Sequence, residues 1–111
     1  MTMRYHDPSL DHDEAVRYLA TTDRAKVTEA LISIGLNEMD GEWAQQTCIQ
    51  FIGHPDNQTA SAAIVAIGHI ARRFGEVDMT KVIPAFEQAR RRGSALSAAV
   101  NDAMDDIEMF T

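Results

Sequence analysis

The feature that most constrains this chain is a five-residue pattern that returns at nearly constant spacing. Ala30-Leu31-Ile32-Ser33-Ile34, Ala66-Ile67-Gly68-His69-Ile70 and Ala103-Met104-Asp105-Asp106-Ile107 all read Ala, a large apolar residue, two variable residues, then Ile. They lie 36 and then 37 residues apart. Self-similarity at this period marks an array of helical pairs, because each pair must stack on its neighbours to bury its apolar stripe.

The helix signals fall in phase with the repeat. Asp11 is placed to cap a short first helix ending near Ala20, and Glu14 to close a capping box. Thr22 or Asp23 opens a second, with Val27, Ala30, Leu31 and Ile34 at helical spacing. Asp40 caps a third, which carries Trp43, Thr47, Cys48 and Phe51 and stops at Gly53. After Pro55-Asp56 a fourth carries Ala60, Ala63, Ile67, Ile70, Ala71 and Phe74, with Gly75 just past its end. It is apolar almost all round, as a central helix is. Asp78 caps a fifth with Val82, Ile83, Phe86 and Ala89, and Gly93 ends it. Ser94 caps a sixth, whose stripe is Leu96, Ala99, Val100, Ala103, Ile107 and Phe110. Strand patterns of period two are absent. The 111 residues suit one core, so the expected architecture is all-α: three antiparallel hairpins over 11–111 behind a tail at 1–10.

Charge narrows the function. The net charge is −7. From Val27 to Ala71 there is no Lys or Arg, and from Gly93 onward there are acids but no base. The positive residues gather in Arg72–Arg92. Nucleic acid and anionic membranes require a positive face, so neither is an expected partner. A basic protein would be steered in, although surplus acid also serves plain solubility. The opening lacks the apolar stretch of a signal peptide. The most apolar run, Ala60 to Ala71, is too short to span a bilayer. The lone Cys48 excludes an internal disulfide and suits a reducing cytoplasm.

Pro84 inside the fifth helix removes a backbone donor and bends it. A bent first helix is a feature of HEAT repeats, and residues 11–110 resemble a three-repeat, right-handed HEAT-like solenoid. The C-terminal half resembles a narrower group. The segments Ala66-Ile67-Gly68-His69-Ile70-Ala71-Arg72, Val82-Ile83-Pro84 and Asp102 to Phe110 are similar to small bacterial HEAT-like proteins associated with immunity to polymorphic or contact-dependent growth-inhibition toxins. In that family a Leu-Gly-His-Leu-Ala-Arg type segment precedes Val-Ile-Pro and an Asp-Ala-Leu-Asp-Asp-Ile-Glu-Phe-like end. This chain departs from it by Arg73-Phe74 after Arg72 and by Met104 where Leu is usual. The resemblance implies a cytoplasmic, non-enzymatic immunity protein that binds a cognate toxin, basic and of nuclease type, without cofactor or metal.

Three groups of residues are candidates for contact with such a partner. Glu38, Asp40, Glu42 and Trp43 form an acidic segment with an apolar and aromatic centre, or a capped turn whose Trp43 enters the core. His69 and Arg72, three apart, form a polar ridge, or anchor Asp105 or Asp106 of the next repeat. Asp102, Asp105 and Asp106 share a helix face through i, i+3, i+4 spacing. No His joins them at ligand spacing, which argues against metal. Cys48 reads as a buried small hydrophobe, and His6, His12 and His54 form no metal spacing. Arg90-Arg91-Arg92 suits the negative end of its helix.

Two other classes compete. A HEAT-like adaptor or assembly factor would share every feature named so far. A HEAT-like glycosylase would need a basic concave groove, whereas the second helices are neutral or acidic apart from Arg72 and Arg73.

Overall fold

Aspartates start five of the helices, and of Thr22 and Asp23 it is Asp23 that caps the second. Asp11, Asp23, Asp40, Asp56 and Asp78 each accept a hydrogen bond from a backbone N–H of the following turn, and Asp11 completes its capping box with Glu14. These caps satisfy donors that a helix start leaves orphaned. The computed structural model describes residues 9–111, and these form six α-helices and no strand: α1 (His12–Leu19), α2 (Arg24–Asn37), α3 (Gly41–Ile52), α4 (Asn57–Phe74), α5 (Met79–Arg90) and α6 (Ser94–Phe110). Most of the tail expected at 1–10, with His6, lies outside the described residues. Leu10 is tied down: its N–H donates to the Ser33 hydroxyl at 2.9 Å and its side chain packs on the core.

The sixth cap is a correction. Ser94 is the first helical residue, not the cap. Gly93 takes that position at φ 144°, with no side-chain bond, and its carbonyl accepts from the Ser97 N–H at 3.1 Å. A backbone at that φ is open to glycine and strained for serine, so the turn is made by Gly93.

The core forms along α4, which packs against α2, α3 and α6. Ile64, Ile67 and Ile70 are sealed there with Leu31 and Ile34 of α2 and Val100 and Ala103 of α6. Helices approach closely where side chains are small. A Cβ added to Gly35 would lie 2.8 Å from the Ala66 Cα, and one on Gly68 would lie 2.8 Å from an Asp106 carboxylate oxygen. The repeated motif thus supplies both the large residues that fill the core and the small ones that let its helices meet.

Arginines tie separate helices together. Arg73 donates to the carbonyls of Gly35 (3.0 Å) and Glu38 (2.6 Å), partnering acceptors at the end of α2. Arg92 donates to the carbonyls of His54 (2.7 Å) and Pro55 (2.9 Å) and to the Asn57 side chain (2.7 Å). Arg92 therefore serves the turn between α3 and α4 across the packing interface, not only the end of its own helix. Arg24 meets Asp56 at 2.9 Å, which joins the starts of α2 and α4.

These contacts also set direction. The ends of α2, α4 and α6 share one side of the molecule, linked through Arg73 and through Arg72 to Asp106 at 3.6 Å. The starts of α1 and α3 are on that side too, because His12 meets Glu38 at 2.8 Å and Trp43 follows the Asp40 cap. The start of α5 joins them through the Asp78 N–H, which donates to the Gln45 side chain.

Candidate partner-binding surface

On that side the apolar stripes run past their cover. Phe74 and Phe110, expected in the core, each keep 40% of their surface exposed, while Met39 and Met109 keep 85% and 76%. The reason is position: Phe74 and Phe110 close α4 and α6, where no further turn of a neighbour can cover them. Arginines lie on both rings instead. The Arg73 guanidinium is 4.7 Å from the Phe74 centroid, and that of Arg72 is 5.2 Å from the Phe110 centroid.

The same side is strongly acidic. It gathers Glu38, Asp40, Glu42, Glu76, Asp78, Asp105, Asp106 and Glu108 around the helix ends, against Arg72, Arg73 and Lys81. Both arginines already spend their charge on neighbours. The opposite side holds Arg17, Arg24, Lys26 and Arg90 to Arg92 against Asp23, Glu29, Asp56 and Glu87, and so carries a small positive excess. The molecule is thus polarised end to end, and a field of that kind orients a charged partner during encounter.

The candidate residues divide into those that hold the fold and those that face solvent. Glu38 is nearly covered and takes the His12 ring nitrogen. Asp40 caps α3 through the Trp43 N–H at 3.0 Å. Trp43 is half-buried, packed against the core with its ring 4.4 Å from that of His12. Of the two acids open to Arg72, the structure selects Asp106. His69 is half-buried on α4. Glu42, Asp102 and Asp105 are exposed, with Asp102 set back along the middle of α6. The end of α4 lies between the Glu38–Glu42 segment and the acids of α6, which brings two separate sequence clusters to one side. Met39, Phe74, Glu76, Met109 and Phe110 join them unannounced. Their signal was apolar or acidic character at helix ends, which helical periodicity reads as core or as turn.

A groove of about 480 Å³ opens on this side between the starts of α3 and α5 and the end of α4. Ile49, Ile70 and Phe74 give it an apolar lining, and Glu42, Glu76, Asp78 and Lys81 are at its edge. A hydrogen bond from the Thr80 hydroxyl, foremost among several contacts, holds the Asp78 carboxyl below its usual range, so it stays anionic. Cys48 is wholly buried and its thiol is pushed up to about 12 by burial, which suits packing and not attack. Among the described residues no group of His, Cys, Asp and Glu is arranged to hold a metal ion.

The His12–Glu38 pair predicts a pH response. The hydrogen bond that the protonated ring donates to the Glu38 carboxylate raises the His12 pKa above its ordinary value of 6.5. A raised folded-state pKa favours the protonated, folded form, so this link is fully present below pH 6.5 and fades as pH rises through the raised value. Melting temperatures of wild type and His12→Gln should therefore differ most in mild acid and converge in mild alkali. A gap that widened with pH would contradict the pairing.

No family model and no curated protein matches the chain. Among solved structures it is similar to a chain in the crystal structure of a CDI complex from Cupriavidus taiwanensis. The two share 28% sequence identity and a TM-score of 0.82, and the match covers 98% of each chain. No helix among the described residues is long and apolar enough to cross a membrane.

Proposed function

We propose that this chain is an immunity protein, which binds a cognate bacterial toxin and blocks it by occupying its surface. The carrying observation is the end-to-end likeness to a chain of a CDI complex, which we read as a contact-dependent growth-inhibition assembly of toxin and inhibitor. Of the segments that resemble immunity proteins, the ends of Ala66–Arg72 and of Asp102–Phe110 lie on the acidic side described above. We read the helix pairs as a right-handed HEAT-like array, a rigid frame that holds this side in one shape before the partner arrives. The partner is a basic toxin domain, of the nuclease type, whose positive substrate-binding surface an acidic inhibitor can cover. The role requires no catalysis, cofactor or metal and places the protein in the cytoplasm.

Co-expression with the toxin domain encoded beside the gene tests this. The two should co-purify, and their association should slow as salt rises from about 50 to 500 mM, because steering between opposite charges is screened. Failure to co-purify at low salt would refute the role. A salt-independent association rate would refute the steering.

A further inference from the structure

The groove at the end of α4 has a chemistry that names part of its occupant. Its lining of Ile49, Ile70 and Phe74 is apolar, which suits methylene groups, whereas Glu42 and Glu76 at its edge are exposed carboxylates. Among the described residues neither has a cation within ion-pair distance, and Glu42 accepts there only from the Gln46 amide at 3.4 Å. The side chains that combine an apolar stem with a cationic head are lysine and arginine. Lys81 is the groove's own cation, and it stands on α5 beside Asp78, to which it makes no close ion pair.

We infer that this groove seats a lysine or arginine side chain of the partner, with its stem against Phe74 and its head between Glu42 and Glu76. The inference rests on the immunity reading and adds the position and chemistry of one anchor. A basic anchor desolvated in such a seat contributes far more than a charge pair at an exposed rim.

Titration of the full-length protein with the neighbouring toxin domain tests it. Glu42→Lys with Glu76→Lys should weaken binding at least about 30-fold, the loss expected when a desolvated interfacial charge pair is broken. Neither residue caps a helix, and reversing Glu42 in the first turn of α3 should lower the melting temperature by only a few degrees and leave the fold intact. Glu29→Lys with Glu87→Lys makes the same charge change at exposed positions away from the groove and should weaken binding less than about threefold through the screened long-range field alone. Lys81→Gln removes a competing cation and should tighten binding. Equal losses from the two double variants, or weaker binding by Lys81→Gln, would overturn the groove assignment and leave the immunity role standing. A wild-type protein that does not bind would overturn both.

Discussion

Ile67→Asp should leave no folded population at room temperature, as measured by circular dichroism and by the loss of a cooperative melt. Ile67 lies wholly inside the core on α4, the helix that touches α2, α3 and α6. The change removes a buried aliphatic side chain, a loss of about 2–5 kcal/mol by analogy with large-to-small core substitutions. It also leaves an uncompensated carboxylate, or a neutralised acid without partners, which adds several kcal/mol. Together these rival the roughly 5–15 kcal/mol of total stability that a domain of this size commands. Ile70→Asp should behave the same way. Val65→Asp on the same helix supplies the control: Val65 is 38% exposed, and its substitution should cost no more than about 1 kcal/mol. If Val65→Asp unfolded the protein and Ile67→Asp did not, the buried face of α4 would be the wrong one.

Gly35→Leu should be nearly as damaging, for a different reason. The Cβ alone would meet the Ala66 Cα at 2.8 Å and its Cβ at 2.9 Å, a distance that neither helix can relieve by turning a side chain. The backbones of α2 and α4 would have to part, which breaks the packing of Leu31 and Ile34 and strains the Arg73 bond to the Gly35 carbonyl. Overpacking of this severity costs about 3 kcal/mol or more. Gly35→Leu should therefore lower the melting temperature by well over 10 °C, at 4–8 °C per kcal/mol for domains near this size. Gly53→Ala, where a Cβ meets only a carbonyl oxygen at 3.7 Å, should change it little.

Periodicity and caps made the helices legible in the sequence because both are local. An apolar stripe needs only spacing along one helix, and an aspartate reaches only its own next turn, so Asp23, Asp40, Asp56 and Asp78 mark their starts. What could not be read was contact between repeats. Arg92 lies beside two other arginines that suit their own helix end, and nothing nearby signals its bonds to His54 and Pro55. The choice between Asp105 and Asp106 as the partner of Arg72 depended on the rotation of α6 against α4, which a spacing of 36 or 37 residues does not specify. Phe74 and Phe110 misled for a related reason: their spacing is that of core residues, but the neighbour that would cover them has already ended. The acidic candidates Glu38, Asp40 and Asp106 share one side of the molecule, yet the structure employs them in pairs and caps. The apolar residues beside them, with Glu42 and Glu76, carry the exposed surface.

The most direct test of the immunity role is survival. Cells induced to make the neighbouring toxin domain should stop growing, and cells that also make this chain should recover growth to near the uninduced rate. Ile67→Asp should abolish that recovery, and Val65→Asp should retain it. Continued growth arrest in cells that hold abundant, folded wild-type protein would contradict the account at its centre.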